Sequence, residues 1–187
     1  MLAWEEIKYT VEYLNEKNKR GHKKITFSFT TNGSLINDQI LDFLNRYRFK
    51  IMVSFDGLAQ DISRQKGTLK KLVPIIKKFK NYPDIELSTN SVFCPRTIKY
   101  MTESMKLLID QLQIQDNDNQ LETIQSWNNH QIFQLKEELS RLREFLVQFY
   151  KMHGHIPVRS FRPSKRKGIF WCSAGRNRMS IAPDGKV

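Results

Sequence analysis

The chain has 187 residues, 40% of them hydrophobic, with a net charge of +12 and a pI near 9.8. A chain of this length can bury roughly 70% of its unfolded surface, so one domain with a sizeable core is expected. No apolar run approaches the roughly 20 residues that span a bilayer, which excludes a transmembrane helix, and the expected location is the cytoplasm. The two cysteines, Cys94 and Cys172, are far apart and neither has a second cysteine nearby, which excludes a disulfide framework and a cysteine-only metal site completed within the chain.

The first stretch, AWEEIKYTVEYLNEKNKRG, places Trp4, Ile7, Val11 and Leu14 at helical spacing and stops at Gly21, a C-terminal helix signal. KKITFSFTTNG then reads as a strand broken by Asn-Gly, and INDQILDFLNRY as an amphipathic helix. FKIMVSFDG is a nearly continuous apolar strand, of the kind covered on both faces, and GTLKKLVPIIKKFKNY follows as a helix that tolerates Pro74 in its first two turns. IELSTNSVF is a third strand, and PRTIKYMTESMKLLIDQL is a helix opened by Pro95. Repeated strand-then-helix units with short connections predict parallel strands joined by right-handed crossovers, an α/β class.

The pattern then weakens. The polar stretch QIQDNDNQLETIQSW has room for a short strand near Leu121 to Ile124. Leu135, Leu139, Leu142, Leu146 and Phe149 then repeat at helical spacing, a stripe read as core packing. The domain reading is a strand–helix body over 1–127, a connecting helix over 128–152, a basic linker over 153–170 and a terminal module over 171–187. His153 and His155 flank Gly154 in that linker with no third ligand in reach, so solvent exposure is the expected state.

Ligands in parallel α/β sheets bind beyond the carboxyl ends of the strands, which selects three loops. They are TTNGS, SFDGLAQDISRQKGT and TNSVFCP. Asn-Gly marks a turn wherever it occurs, so Thr30, Thr31 and Asn32 serve either a ligand or the backbone around them. Asp61 and Arg64 lie one turn apart if their loop is helical, and the planar fork of Arg64 suits a carboxylate. Asn90 brings side-chain donors and acceptors to a strand end. Cys94, before Pro95, reads as a small buried hydrophobe.

In order, FTTNGSLI, VSFDGLAQDISRQKGT, LSTNSVFCPRTI and the late CSAGRNRMSIAPDGKV resemble the radical S-adenosylmethionine enzymes that carry a C-terminal SPASM or twitch domain, a group that includes anaerobic sulfatase maturases and peptide maturases. The resemblance implies a partial (β/α)6 barrel with S-adenosylmethionine at its strand ends, followed by the start of a SPASM-like β-hairpin. Carried over by position, it implies that Thr31, Asn32 and Gly33 line the cofactor pocket, that Ser54, Asp56 and Gly57 form the next strand end, and that Ser54 reaches the methionine moiety or the ribose. Arg64 becomes a candidate for the methionyl carboxylate, with Gln60 standing where the family carries histidine; Asn90 is a further candidate. Cys172 is implied as the first ligand of an auxiliary [4Fe-4S] cluster, with Gly175, Asp184 and Gly185 shaping the hairpin.

The three-cysteine motif of the radical cluster and the Gly-Gly-Glu strand are absent, so the resemblance implies a piece of a longer enzyme, inactive alone. That enzyme would abstract hydrogen from a peptide or protein substrate and draw electrons from a reductant such as flavodoxin or ferredoxin. The alternative reading rests on the run RSFRPSKRKG: a basic module using Arg159, Arg162, Lys165, Arg166 and Lys167 on nucleic acid or an acidic peptide, with nucleic acid the less expected partner because charge runs are usually solvated.

Overall fold

A computed structural model describes residues 3–21 and 25–163. Helix α1 (Trp4–Arg20) precedes strand β1 (Ser28–Thr31), and helix α2 (Asp38–Arg46) connects it to strand β2 (Lys50–Ser54). The short helix α3 (Gln60–Ser63) and helix α4 (Thr68–Lys78) lead to strand β3 (Glu86–Phe93). Helix α5 (Met101–Lys106), strand β4 (Asn117–Leu121) and the long helix α6 (Asn129–His153) complete the series. The strands pair in chain order, β1-β2-β3-β4, and every pair is parallel.

Adding strands in one direction through right-handed crossovers puts the connecting helices on one face of the sheet. The register agrees. Ile51, Val53, Phe55, Thr89 and Phe93 are at most 1% exposed and point to the helical side. Their alternates Lys50, Met52 and Ser54, with Glu86 and Asn90, are half-buried or exposed. Lys50 and Glu86 are in register and form an ion pair at 2.6 Å on this second face. The expectation that β2 is covered on both faces is therefore corrected: its inward alternation is apolar, and its outward alternation of Lys50, Met52 and Ser54 has no helix over it among the described residues.

The core joins Leu41 and Leu44 of α2, Leu72 and Ile76 of α4, Met101 and Met105 of α5, and Leu142 and Leu146 of α6. Each is at most 3% exposed, and a fully buried side chain of this size contributes about 2 kcal/mol. Helix α6 starts with a capping box, in which the Asn128 side chain accepts from Gln131 N and the Gln131 side chain accepts from Asn128 N. It ends at Gly154 in the left-handed conformation. Its Glu138 carboxylate is buried and accepts from Thr102 N at 2.9 Å, at the positive end of α5.

Three further expectations change. The helix expected from Pro95 begins as a 3-10 turn at Ile98, becomes regular at Met101 and finishes as a π turn over Leu107–Gln111. Pro95 instead lies in the turn that Thr97 closes on Cys94. The fourth strand lies at Asn117–Leu121 rather than Leu121 to Ile124, and Ile124 is 93% exposed. The described part of the segment read as linker, 153–163, docks on the sheet: Val158 is fully buried and bridges Asn117 at the sheet edge, and Asn117 N donates to Pro157 O at 2.8 Å. The expected terminal module over 171–187, Cys172 and Lys165, Arg166 and Lys167 lie outside the described residues. No described helix is long and apolar enough to cross a membrane.

Candidate functional site

The parallel register stacks polar residues in a row on the uncovered face: Ser54 ends β2, and Asp118 lies near the start of β4. Asn90 lies within β3 rather than at the strand end the sequence suggested, because β3 runs on to Phe93. Ser54 lies beside Asn90, and Asn90 beside Asp118. The Ser54 hydroxyl has no hydrogen-bond partner among the described residues, and Asp118 accepts from the Gln120 amide at 3.1 Å. Between them, Asn90 Oδ1 is buried with no partner. A buried acceptor left unpaired costs roughly 1–3 kcal/mol, so a donor belongs beside it.

The loop after β2 is built differently, because its buried polar side chains, Asp56 and Gln60, are fully bonded within the loop and to β3. Gly57 adopts φ +61°, and a Cβ there would lie 2.5 Å from Ser104 Cβ, so only glycine lets the loop pack on α5. Ser104 Oγ accepts from Leu58 N at 3.0 Å. Asp56 is 1% exposed and its carboxylate takes four hydrogen bonds: from Arg64 Nε at 2.8 Å, Arg64 Nη2 at 3.0 Å, Ser63 Oγ at 2.5 Å and Val92 N at 2.9 Å. That saturates both oxygens. The buried Gln60 carboxamide accepts from Asp56 N at 2.9 Å and donates to Thr68 Oγ1 at 3.2 Å, and Asp61 accepts from Leu69 N at 2.8 Å. The Arg64 fork, which the sequence directed at a cofactor carboxylate, is thus closed on Asp56, with only its remaining donors facing outward.

The first loop satisfies itself as well. Thr31 Oγ1 accepts from Gly33 N, and Asn32 Oδ1 accepts from Ser34 N and Ser34 Oγ. Gly33, at φ +77°, is buried against Leu72 and Val53, where a Cβ would sit 3.2 Å from Leu72 Cδ2. These residues shape the rim of the strand end and leave the Asn32 side-chain amide free.

Cys94 is buried at the end of β3. Burial pushes its thiol up, and hydrogen bonds from the Thr97 hydroxyl and the backbone of Arg96 and Thr97 outweigh that and hold it below the ordinary thiol value. His155 bonds to Gln115 and packs against Phe149, while Arg159 and Arg162 both grip Asp116. Those two arginines of the basic run are therefore occupied in holding the 156–162 segment to the sheet. Burial pushes the Asp116 carboxyl up, and the two guanidiniums outweigh it and hold it below the usual carboxylate range. Among the described residues no group of three or more His, Cys, Asp or Glu side chains could hold a metal ion.

Sequence reasoning missed Asp118 and the buried Asn117, because a run of Asn, Asp and Gln carries no strand signal. Asn117 accepts from Thr89 Oγ1 at 2.6 Å and donates to Ile114 O at 2.9 Å, bonds that a periodicity count does not register. The usable signal is position: a fourth strand is due after the third strand–helix unit.

The fold of parallel strands in chain order with intervening helices matches solved structures. Against anSMEcpe with bound AdoMet the TM-score is 0.70 at 20% identity, over 86% of this chain and 47% of that one. The fold is shared with about half of anSMEcpe. A tagged form of anSMEcpe with bound AdoMet gives a TM-score of 0.68 at 19% identity, over 82% and 43% of the two chains. anSMEcpe with bound AdoMet and the Cp18Cys peptide gives 0.68 at 20%, over 83% and 46%. The chain therefore spans less than half the length of these proteins. No protein-family model matches it, and no curated protein matches it in sequence.

Proposed function

We propose that this chain forms part of the S-adenosylmethionine-binding barrel of a radical enzyme that modifies a peptide or protein. The observation that carries the reading is the Ser54–Asn90 pair: a free hydroxyl beside an orphaned buried acceptor, level with the carboxyl end of β2 in a fold shared with a protein solved with AdoMet and a peptide. The residues fit the cofactor's polar groups. Asn90 Oδ1 accepts from a hydroxyl or ammonium group, the Ser54 hydroxyl both donates and accepts, and the outer donors of Arg64 suit a carboxylate. The chemistry S-adenosylmethionine supplies in such enzymes, with an iron–sulfur cluster as electron source, is hydrogen abstraction from carbon.

This chain's own residues contribute placement. Asp56 holds Arg64 and ties the β2 loop to β3 through Val92 N, so a carboxylate on the outer edge of Arg64 meets a fixed fork. Gln60 fixes the same loop from behind. Thr31, Asn32 and Gly33 form the neighbouring rim, and Cys172 would belong to an auxiliary cluster site in the whole protein, which a reductant such as flavodoxin or ferredoxin would serve in the cytoplasm.

Equilibrium dialysis of S-adenosylmethionine against the full chain tests the reading. Binding is expected to be weak and to fall by about tenfold on Asn90→Ala, the loss of a well-placed polar contact. Equal retention by the wild type, Asn90→Ala and Ser54→Ala would remove the proposal.

A further inference from the structure

From residue 62 to residue 83 the chain contains no Asp or Glu, and in that span it carries Arg64, Lys66, Lys70, Lys71, Lys77, Lys78 and Lys80. Arg64 is taken by Asp56, and Lys78 reaches Asp38 at 2.7 Å. The other five lysines are exposed and make no ion pair or hydrogen bond with any described residue. Helical geometry gathers Lys70, Lys71, Pro74, Lys77 and Lys78 on the face of α4 opposite Leu72 and Ile76, which are buried in the core.

Other long helices here are not built this way. On α1, Lys8 pairs with Glu5 and Lys19 with Glu16; on α6, Arg141 pairs with Glu138 and Glu103. Such mixed faces are the usual solvated arrangement. Helix stability explains Lys77 and Lys78, which sit in the last turn of α4 and complement its dipole. It does not explain Lys70 and Lys71, which sit at the positive end, where no acidic residue is present. Like charges close together on one helix face also destabilise it. The face is thus arranged against the stability of its own helix at one end.

We propose that the outer face of α4 is a docking surface for an acidic segment of a protein partner. Lys70 and Lys77 are two turns apart, about 10 Å along the helix axis, close to the roughly 9 Å between acidic residues three apart in an extended polyproline-like segment. The face offers lysines without arginine forks and no exposed aromatic ring, so it suits dispersed carboxylates better than the phosphates and bases of a nucleic acid. Its upper end adjoins the candidate site: Thr68 and Leu69, the first residues of α4, bond to Gln60 and Asp61 of the β2 loop. A polypeptide anchored there has its adjoining residues at the rim of the strand ends. The inference goes beyond the cofactor reading and does not depend on it.

The test uses the full chain and a fluorescein-labelled oligoglutamate peptide, followed by anisotropy at low and moderate salt. The wild type is expected to bind with an affinity that falls as salt rises. Lys70→Glu with Lys71→Glu should weaken binding at least about tenfold while the melting temperature holds or rises, since acids suit the first turn. Lys136→Glu with Arg143→Glu, an equal change of charge on α6, should alter binding less than about twofold. Equal losses in both variants would reduce the effect to net charge and overturn the proposal, as would no binding at low salt. Tighter binding of a single-stranded oligonucleotide, lost with the α4 lysines, would overturn it in favour of nucleic acid.

Discussion

The two faces of the sheet carry the same backbone and different burdens. On the helical side, Ile51, Val53, Phe55 and Phe93 interlock with four helices, and no buried polar side chain among the described residues is left unpaired there. On the other, Ser54, Asn90 and Asp118 stand in register with one acceptor orphaned and one hydroxyl free. The first face gives up solvent for stability; the second holds a polar group where stability alone would not put it. The contrast separates residues that make the fold from residues available to a ligand, which parity along each strand then identifies.

Truncation on the two faces should have opposite signs. Phe55→Ala removes a fully buried ring from the helical side and is expected to cost about 4 kcal/mol in denaturant unfolding; a loss below about 1 kcal/mol would mean that this face does not hold the fold. At the sheet edge the expected effect is intermediate and set by pH. The Asp116 carboxyl is held below its ordinary value of 3.8, so its contribution is complete above that value and disappears as pH falls through the lower folded-state value. Acidification from pH 3.8 downward should then loosen the 156–162 segment progressively while the sheet persists. Hydrogen exchange at Asn117 N, bonded to Pro157 O, reports that loosening; protection that stays constant from neutral pH down to the onset of global acid unfolding would show that the arginine clamp is not what secures it. The smallest effect carries the reversed sign: Asn90→Val replaces an orphaned acceptor with a residue suited to a strand and should raise stability by about 0.5–1 kcal/mol. Destabilisation there would mean that the open face is structural after all.

The covered face was legible in the sequence, because Ile51, Val53 and Phe55 alternate in one apolar run and the helices between strands show their stripes plainly. The uncovered face was not, because the same run was apolar enough to suggest burial on both sides, and only the strand order reveals that the described connecting helices fall on one. β4 was misplaced because side-chain hydrogen bonds of Asn117, and not apolar alternation, hold it. At the site, the loops were found and their internal wiring was not. Nothing in the spacing of Asp56 and Arg64 says that they bond to each other, eight residues apart through a turn set by Gly57. The docked 156–162 segment escaped for a related reason: its anchors, Asp116 with Arg159 and Arg162, are more than forty residues apart in sequence.

Strand pairing strictly in chain order also bears on how the protein forms. Each new strand docks on the one made just before it, so the loops to be closed stay short and the entropic cost of each addition stays small. A growing chain can thus extend its sheet during synthesis without waiting for distant residues, with Val158 arriving last to cover the β4 edge.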